Sequence, residues 1–370
     1  MSRDDGHLRF YWYWPFARSE ELDWARATVR PGEEATVHVI DRDAAPATAS
    51  DGSVTVVRDL PDVDRSASGA AAWAVSRVST YLARERLRRE MWRSRDFDLV
   101  HLHYVNRFTD VWSPLPRPLV ISVHDVVPHV PRLGSTAEHR LLLRLYQRPE
   151  AIVVHHQHLA DRLQSDFDVP DERIHVVPHQ VFPVDGPPVD PPSGVPNVLF
   201  FGALRPNKGV ELLDGMMRHL DGDVGLTIAG RGDPAVERQV RSVAAADGRV
   251  AVEIGFATLE RKRQLFRAAH VVVLPYTTFS SQSGVLHDAY GHGRPVVVTD
   301  VGALGDAVRE DGTGFVVPPN DPEALATAVR DLLAPDAWRR HADAARRVAT
   351  ERSPAAIGAR LRQVYDWVLP

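Results

Sequence analysis

Two series of short apolar runs, each run followed by a helical stretch, restrict what this chain can fold into. In the first series Ala35–Asp41, Ser53–Val57, Asp98–His103, Pro118–Asp125, Ala151–His156 and Ile174–His179 read as strands. In the second, Val198–Gly202, Gly225–Gly230, Val250–Gly255, His270–Tyr276, Arg294–Asp300 and Thr313–Pro319 do the same. Several runs are apolar throughout, as a strand covered on both faces of a parallel sheet must be. A long helical pattern fills Ala67–Asp96, and Asp321 with Pro322 supplies a cap and a first-turn proline for a later helix. Alternation of this kind predicts doubly wound α/β sheets.

The segment "PVDGPPVDPPSGVPN" (Pro183–Asn197) separates the two series. So much proline can neither continue a helix nor enter a central strand, so it reads as an interdomain linker. The expectation is an α/β protein of two doubly wound Rossmann-like domains facing across a cleft. They span residues 1–185 and 186–353, with a C-terminal helix over 354–370. In such sheets ligands bind at the carboxyl ends of the strands, so the informative residues sit just after each run.

Composition narrows the chemistry. The chain has 370 residues, 44% hydrophobic and 25% charged, which is a globular composition. Its net charge of -5 argues against a nucleic-acid partner. With 0 cysteines there is no disulfide, no thiolate zinc site and no cysteine nucleophile. The opening "MSRDDGHLRFYWYW" has no signal-peptide pattern, and no run reaches the roughly 20 apolar residues of a membrane span. A cytoplasmic protein is expected, with any membrane contact peripheral, at the inner membrane surface.

Two stretches carry most of the chemistry. In "FFGALRPNKGVELL" (Phe200–Leu213) a strand ends, a loop presents Arg205 and Lys208, and a helix follows Gly209. Backbone N–H groups, the helix dipole, a guanidinium fork and an ammonium together suit a diphosphate. In "SSQSGVLHDAYGHGRPVVVTD" (Ser280–Asp300) hydroxyls stand at the mouth of a helix. Gly284 allows close approach there, and Asp288 lies about one turn further on, placed to accept from ribose hydroxyls. The plainer readings are a solvated basic loop, a serine cap and an ordinary helix aspartate.

With "AGRGDP" (Ala229–Pro234) and "EDGTGFVVPPNDPEAL" (from Glu310), these stretches resemble the retaining glycosyltransferases of family 4, the two-Rossmann-domain GT-B type. The likeness covers the second half. In the first half it rests on "FDLVHLHY" and "VISVHDVVPH". It implies a nucleoside diphosphate sugar donor and transfer with retention. It also implies an acceptor, saccharide, lipid-linked or small-molecule, on the first domain, and a C-terminal helix returning to that domain. Arg205 and Lys208 would hold the diphosphate. Ala203 stands where the family often has its arginine. The family's two glutamates fall on Ser280, facing the sugar, and Asp288, on the ribose. The implied donor site also takes in Gly202, Gly230, Gly255, Phe256, Gln282, Ser283, Gly284 and Val285. His124 would face the reacting sugar. No convincing Asp-x-Asp loop is present, so neither a required metal nor another cofactor is expected. Rival readings are a nucleotide-sugar epimerase or phosphorylase of the same architecture, and a non-catalytic nucleotide-sugar-binding protein.

Of the 17 histidines several cluster. His101 and His103 share a strand face, and His155, His156 and His158 end another run. A zinc hydrolase with Asp125 as a further ligand is the reading they would support. The segment Arg77–Arg95 carries seven arginines against two glutamates. It reads either as a lipid-facing basic helix or as a solvated one. "FYWYWPF" (Phe10–Phe16) ends the first strand in aromatic residues for sugar stacking or for the core.

Overall fold

The computed structural model describes residues 8–13, 23–40, 48–50, 52–62, 70–94, 96–107, 110–127, 134–184, 186, 190–278 and 283–369. The chain divides into two compact units, Met1–Pro178 with Pro354–Pro370, and His179–Ser353.

The first unit contains strands β1 (Arg9–Tyr13), β2 (Glu34–Ile40), β3 (Thr48–Ser50), β4 (Val54–Leu60), β5 (Leu99–Leu102), β6 (Leu119–Val123), β7 (Ala151–Val154) and β8 (Ile174–Val176). Its first helices are α1 (Asp23–Thr28), α2 (Ala70–Ser94), α3 (Ser135–Tyr146) and α4 (Gln157–Phe167). The sheet order is β3-β4-β2-β1-β5-β6-β7-β8. All pairings are parallel except the short edge strand β3, which runs antiparallel to β4. Every residue of β5, β6 and β7 is buried, which is why those runs carry no polar alternation. β1 splits its aromatics between the faces: Tyr11 and Tyr13 join one core, Phe10 and Trp12 the other.

The long helix α2 differs from a uniformly solvated basic helix. Arg88 is fully buried, paired with Asp110 at 2.8 Å and Glu85 at 2.7 Å. Its guanidinium lies 4.6 Å from the ring centres of both Tyr13 and Trp92. This arginine therefore belongs to the core, because its partners are as buried as it is.

The second unit contains β9 (Asn197–Phe201), β10 (Gly225–Gly230), β11 (Val250–Ile254), β12 (Val271–Leu274), β13 (Val296–Thr299) and β14 (Gly314–Val317). Its helices are α5 (Glu211–His219), α6 (Pro234–Ala246), α7 (Leu259–Ala268), α8 (Gly284–Gly291), α9 (Ala303–Asp311), α10 (Pro322–Leu332) and α11 (Pro335–Glu351). The strands are all parallel in the order β11-β10-β9-β12-β13-β14. The order reverses between β9 and β12, so the crevice at their carboxyl ends is the expected ligand position.

The proline-rich segment is attached to this unit. Val181 N–H donates to Arg352 O at 2.7 Å, Val184 N–H to Gly291 O at 2.9 Å, and Arg339 pairs with Asp190 at 3.1 Å. The division therefore falls at Pro178/His179, before the prolines rather than within them.

The last helix, α12 (Pro354–Val368), packs in the first unit. Ile357, Leu361, Val364 and Tyr365 enter the core beside Phe10 and Trp12. Arg362 forms a buried ion pair with Glu33 at 2.6 Å. The Tyr365 hydroxyl meets Nδ1 of buried His101 at 2.7 Å, and His101 Nε2 meets Ser122 Oγ at 2.9 Å. Removing that hydroxyl strands a buried ring nitrogen. We expect Tyr365→Phe to lower stability by about 1–3 kcal/mol, measured by denaturant unfolding followed in the first unit.

Candidate functional site

The second unit presents its switch point as a set of interlocked loops. β9 leaves the sheet at Gly202, whose φ of 122° favours glycine. A Cβ there would lie 3.2 Å from Val285 Cγ2, so the β9 loop abuts the first turn of α8. Buried Leu204 anchors the loop, Arg205 is extended and exposed, and Pro206–Lys208 form a single 3₁₀ turn. Gly209 ends that turn with φ 65°, and a Cβ on it would fall 1.7 Å from Pro275 O. Only a glycine lets this loop lie against the end of β12. Thr277 N–H donates to Asn207 O at 3.2 Å, and Asn207 Nδ2 to Thr278 O at 3.4 Å. Arg205 and Lys208 are thereby held at the place where the strand order reverses.

Lys208 extends its ammonium over the Tyr276 ring, 3.6 Å from the centre. Burial, with Arg205 adding like charge, pushes its pKa down to about 8. The Tyr276 hydroxyl, raised to about 12 by burial, pairs with Ser283 Oγ at 3.0 Å. Ser283 occupies the cap position of α8, yet its side chain makes no capping bond. An N-cap serine normally contributes about 1 kcal/mol to its helix, and here that hydroxyl is turned to Tyr276. The start of α8 thus keeps its dipole and its N-terminal amides uncovered by that side chain, which suits an anion.

Asp288 lies one turn into α8 and pairs with Lys262 of α7, Nζ to Oδ1, at 2.6 Å. Both side chains are partly exposed. His292 donates from Nδ1 to Asp288 O at 2.7 Å, and burial lowers its pKa to about 4, so it stays neutral. Beyond β10 and β11, the Arg231 guanidinium lies 4.6 Å from the centre of the exposed Phe256 ring. Gly230 and Gly255 end these two strands with φ of 156° and 149°. Gly284 opens α8. Ser280, Ser281 and Gln282 lie outside the described residues.

In the first unit His124 follows β6. Its Nε2–H donates to His103 O at 2.9 Å, and its ring stacks on Tyr104 at 4.7 Å and meets His155 at 4.8 Å. Burial lowers its pKa, so the ring is neutral near pH 7 with its proton on Nε2. The zinc reading fails at His101, because both of its ring nitrogens are engaged by Tyr365 and Ser122. His155 gives Nδ1 to Val177 O, and His156 caps α4 by accepting from His158 N–H.

Two residues of the second unit were not singled out from the sequence, Tyr276 and Lys262. One signal was available. Of the 44 Lys and Arg residues only two are lysine, Lys208 and Lys262.

With this geometry in place, comparison with known proteins gives the class. Residues 195–335 match the family described as Glycosyl transferases group 1, and residues 22–181 match Glycosyltransferase Family 4. The chain is 30% identical over 305 residues to a D-inositol 3-phosphate glycosyltransferase of Xylanimonas cellulosilytica, covering 72% of this chain and 71% of that one. A phosphatidyl-myo-inositol mannosyltransferase of Mycobacterium leprae is 34% identical over 177 residues, 46% of each chain. Among solved structures, sucrose-phosphate synthase from Thermosynechococcus elongatus superposes with a TM-score of 0.69 at 18% identity, covering 97% of this chain and 98% of that one. Anabaena HepE, solved in complex with UDP, gives 0.68 at 16%, covering 97% and 100%. The protein has the GT-B fold of glycosyltransferases. It belongs to glycosyltransferase family 4.

The Lys208 environment makes a pH dependence measurable. Anion binding favours the protonated ammonium, which is lost as pH rises through about 8. We expect affinity for inorganic pyrophosphate, measured by calorimetry, to fall between pH 7 and 9. In Lys208→Arg that fall should disappear, since a guanidinium does not titrate there.

Proposed function

We propose that the protein transfers a glycosyl group from a nucleoside diphosphate sugar to a phosphorylated polyol of the inositol phosphate type, with retention of configuration. What supports the donor is the pairing of the Arg205–Lys208 loop with the start of α8, left without a bond from its Ser283 side chain, at the β9/β12 switch point. Departure of a nucleoside diphosphate builds negative charge on its β-phosphate. Cations and amides already in place stabilise that charge without reorganising. In this reading Asp288 accepts from the ribose and His124 hydrogen-bonds the reacting sugar. The fixed cations do the work a metal would do, so chelation should leave turnover intact.

The acceptor class rests on the relatives, whose names specify D-inositol 3-phosphate and phosphatidyl-myo-inositol. Among the described residues no helix is long and apolar enough to cross a membrane. For a lipid-linked acceptor, α2 is the surface we assign to a peripheral contact. Val75, Val78 and Leu82 are exposed along it, followed by exposed Arg86, Arg89 and Arg93.

The test is a panel of nucleotide sugars with D-inositol 3-phosphate, product configuration being read by NMR. A product whose anomeric configuration is inverted relative to the donor would reject retention. Failure of every nucleoside diphosphate to raise the melting temperature would reject the donor site. Lys208→Ala should weaken nucleoside diphosphate binding by about 1.5–3 kcal/mol. His124→Ala should lower kcat about a hundredfold while donor affinity stays near normal, since an interaction that tightens in the transition state acts on turnover.

A further inference from the structure

The sheet of the second unit ends at β14, and one side of that strand faces no other strand among the described residues. Thr313 O accepts from Val296 N–H at 3.1 Å, and Val317 O from Asp300 N–H at 2.8 Å, so the strand turns these alternate residues to β13. With a period of two, the backbone N–H and C=O of Gly314 and Val316 point away from the sheet. Beside that edge, between β14 and α10, runs an open groove of about 470 Å³. We propose that this groove is a docking surface for an extended, basic peptide segment of a partner protein, which adds to β14 as a further strand. The surface shares no residue with the donor site and does not depend on the donor reading.

The chemistry of the groove selects the partner. Phe315, Val316 and Val317 form its strand wall, and the small side chains of Ala324, Thr327 and Ala328 form its helix wall. Phe315 and Val317 pack on the core side that α10 covers, and Val316 on the opposite face. Both ends of the groove are acidic: Asp321 and Glu323 at the start of α10, Asp331 near its end. Asp321 also caps its helix, accepting from Ala324 N–H at 2.9 Å. Glu323 and Asp331 are exposed, and among the described residues no lysine or arginine lines the groove. Sheet edges that repel a neighbour often carry charges on the strand itself. The four residues of β14 carry none, and the carboxylates stand on the helix, where an added strand would meet them. A second copy of this chain would set acidic ends against acidic ends, and like charges oppose that pairing.

The spacing fixes the pattern of the peptide. Asp321 and Asp331 lie about 15 Å apart along α10 at the helical rise per residue. The first and fifth residues of an extended chain are about 13 Å apart, and their side chains share one face. A segment of the form basic-x-apolar-x-basic therefore sets its two cations at the two acidic ends. Its middle side chain, a compact one, then rests against Ala324 and Ala328. Pro318 has no N–H, so the pairing edge ends there and Gly314 and Val316 carry the backbone bonds. Main-chain bonds supply the alignment, and the alternate side chains supply the selectivity.

The experiment titrates the full chain into the fluorescein-labelled pentapeptide Lys-Thr-Val-Thr-Lys and follows anisotropy. We expect Asp331→Lys, a change on exposed helix surface, to keep the melting temperature and lower affinity about tenfold, the scale of one charge-assisted contact. Val316→Pro, which removes an outward N–H, should weaken binding by a similar factor. The peptide Thr-Lys-Val-Lys-Thr has the same charge but carries its cations on the other face, and should bind about fivefold more weakly than the first. N-methylation of one alternate set of peptide amides should abolish binding, and of the other set should change it by less than about twofold, because an added strand turns only one set to β14. The methylated peptides test the pairing on unaltered protein, should Val316→Pro fail to fold. Four results overturn the proposal: no binding of the first pentapeptide to wild type, wild-type affinity in Asp331→Lys, equal affinity for the two pentapeptides, or equal affinity for the two methylated forms. Self-association of the free chain in sedimentation, lost in Val316→Pro, would give the edge to a second copy and overturn it as well.

Discussion

The Lys208 ammonium rests 3.6 Å above the Tyr276 ring, and the organisation of the second unit's ligand edge follows from keeping it there. Burial drives its pKa down to about 8, so the position penalises the charge it holds. A cation over an aromatic face recovers about 0.5–2 kcal/mol. The ring can lie under the ammonium because Gly209 brings the β9 loop onto the end of β12 without a side chain in between. The same tyrosine then takes the Ser283 hydroxyl at 3.0 Å. One residue thus connects a desolvated cation with a helix start that its own cap serine does not bond. On the proposed donor reading, an anion bound there would offset the cost of both features.

The fold was legible because parallel sheets write themselves as continuous apolar runs. β5, β6, β7, β12 and β13 are buried at every position, and each appears in the sequence as an unbroken stretch of mostly valine, leucine and isoleucine. β3 escaped because it is three residues long and antiparallel at the edge, where no such run is required. The proline-rich segment was legible as a break but not as to which side it serves. Its allegiance depends on backbone bonds to Arg352 and Gly291, residues more than a hundred positions away. Arg88 misled for a similar reason. A helical arginine looks solvated until Asp110, on a distant loop, is seen to bury with it.

Within the ligand edge, legibility followed the spacing of the residues. Arg205, Lys208 and Gly209 sit within five consecutive positions, so a local motif contains their chemistry. Lys262 and Asp288 are 26 positions apart and meet only because α7 and α8 leave neighbouring parts of one sheet. Tyr276 hides differently. In a strand-end run of Leu274, Pro275 and Tyr276 it looks like core, and by burial it is core, at 2% exposure. Its hydroxyl and its ring face are what make it part of the site, and neither shows in an apolar pattern.

The scarcity of lysine carries the last step. Arginine holds carboxylates well because its fork matches both oxygens, and this chain uses that match repeatedly, at Glu253, Asp311 and Asp300. An arginine also keeps its charge across the accessible pH range, whereas a buried lysine can be brought close to neutrality. Lys208 shows this second property, its pKa brought down to about 8. Lys208 and Lys262 both stand at the carboxyl edge of one parallel sheet, where the strand order places a ligand. A surface chosen only for solubility would have no reason to concentrate its two point charges there. On the proposed donor reading, a site that grips a diphosphate has a reason for Lys208 at that edge.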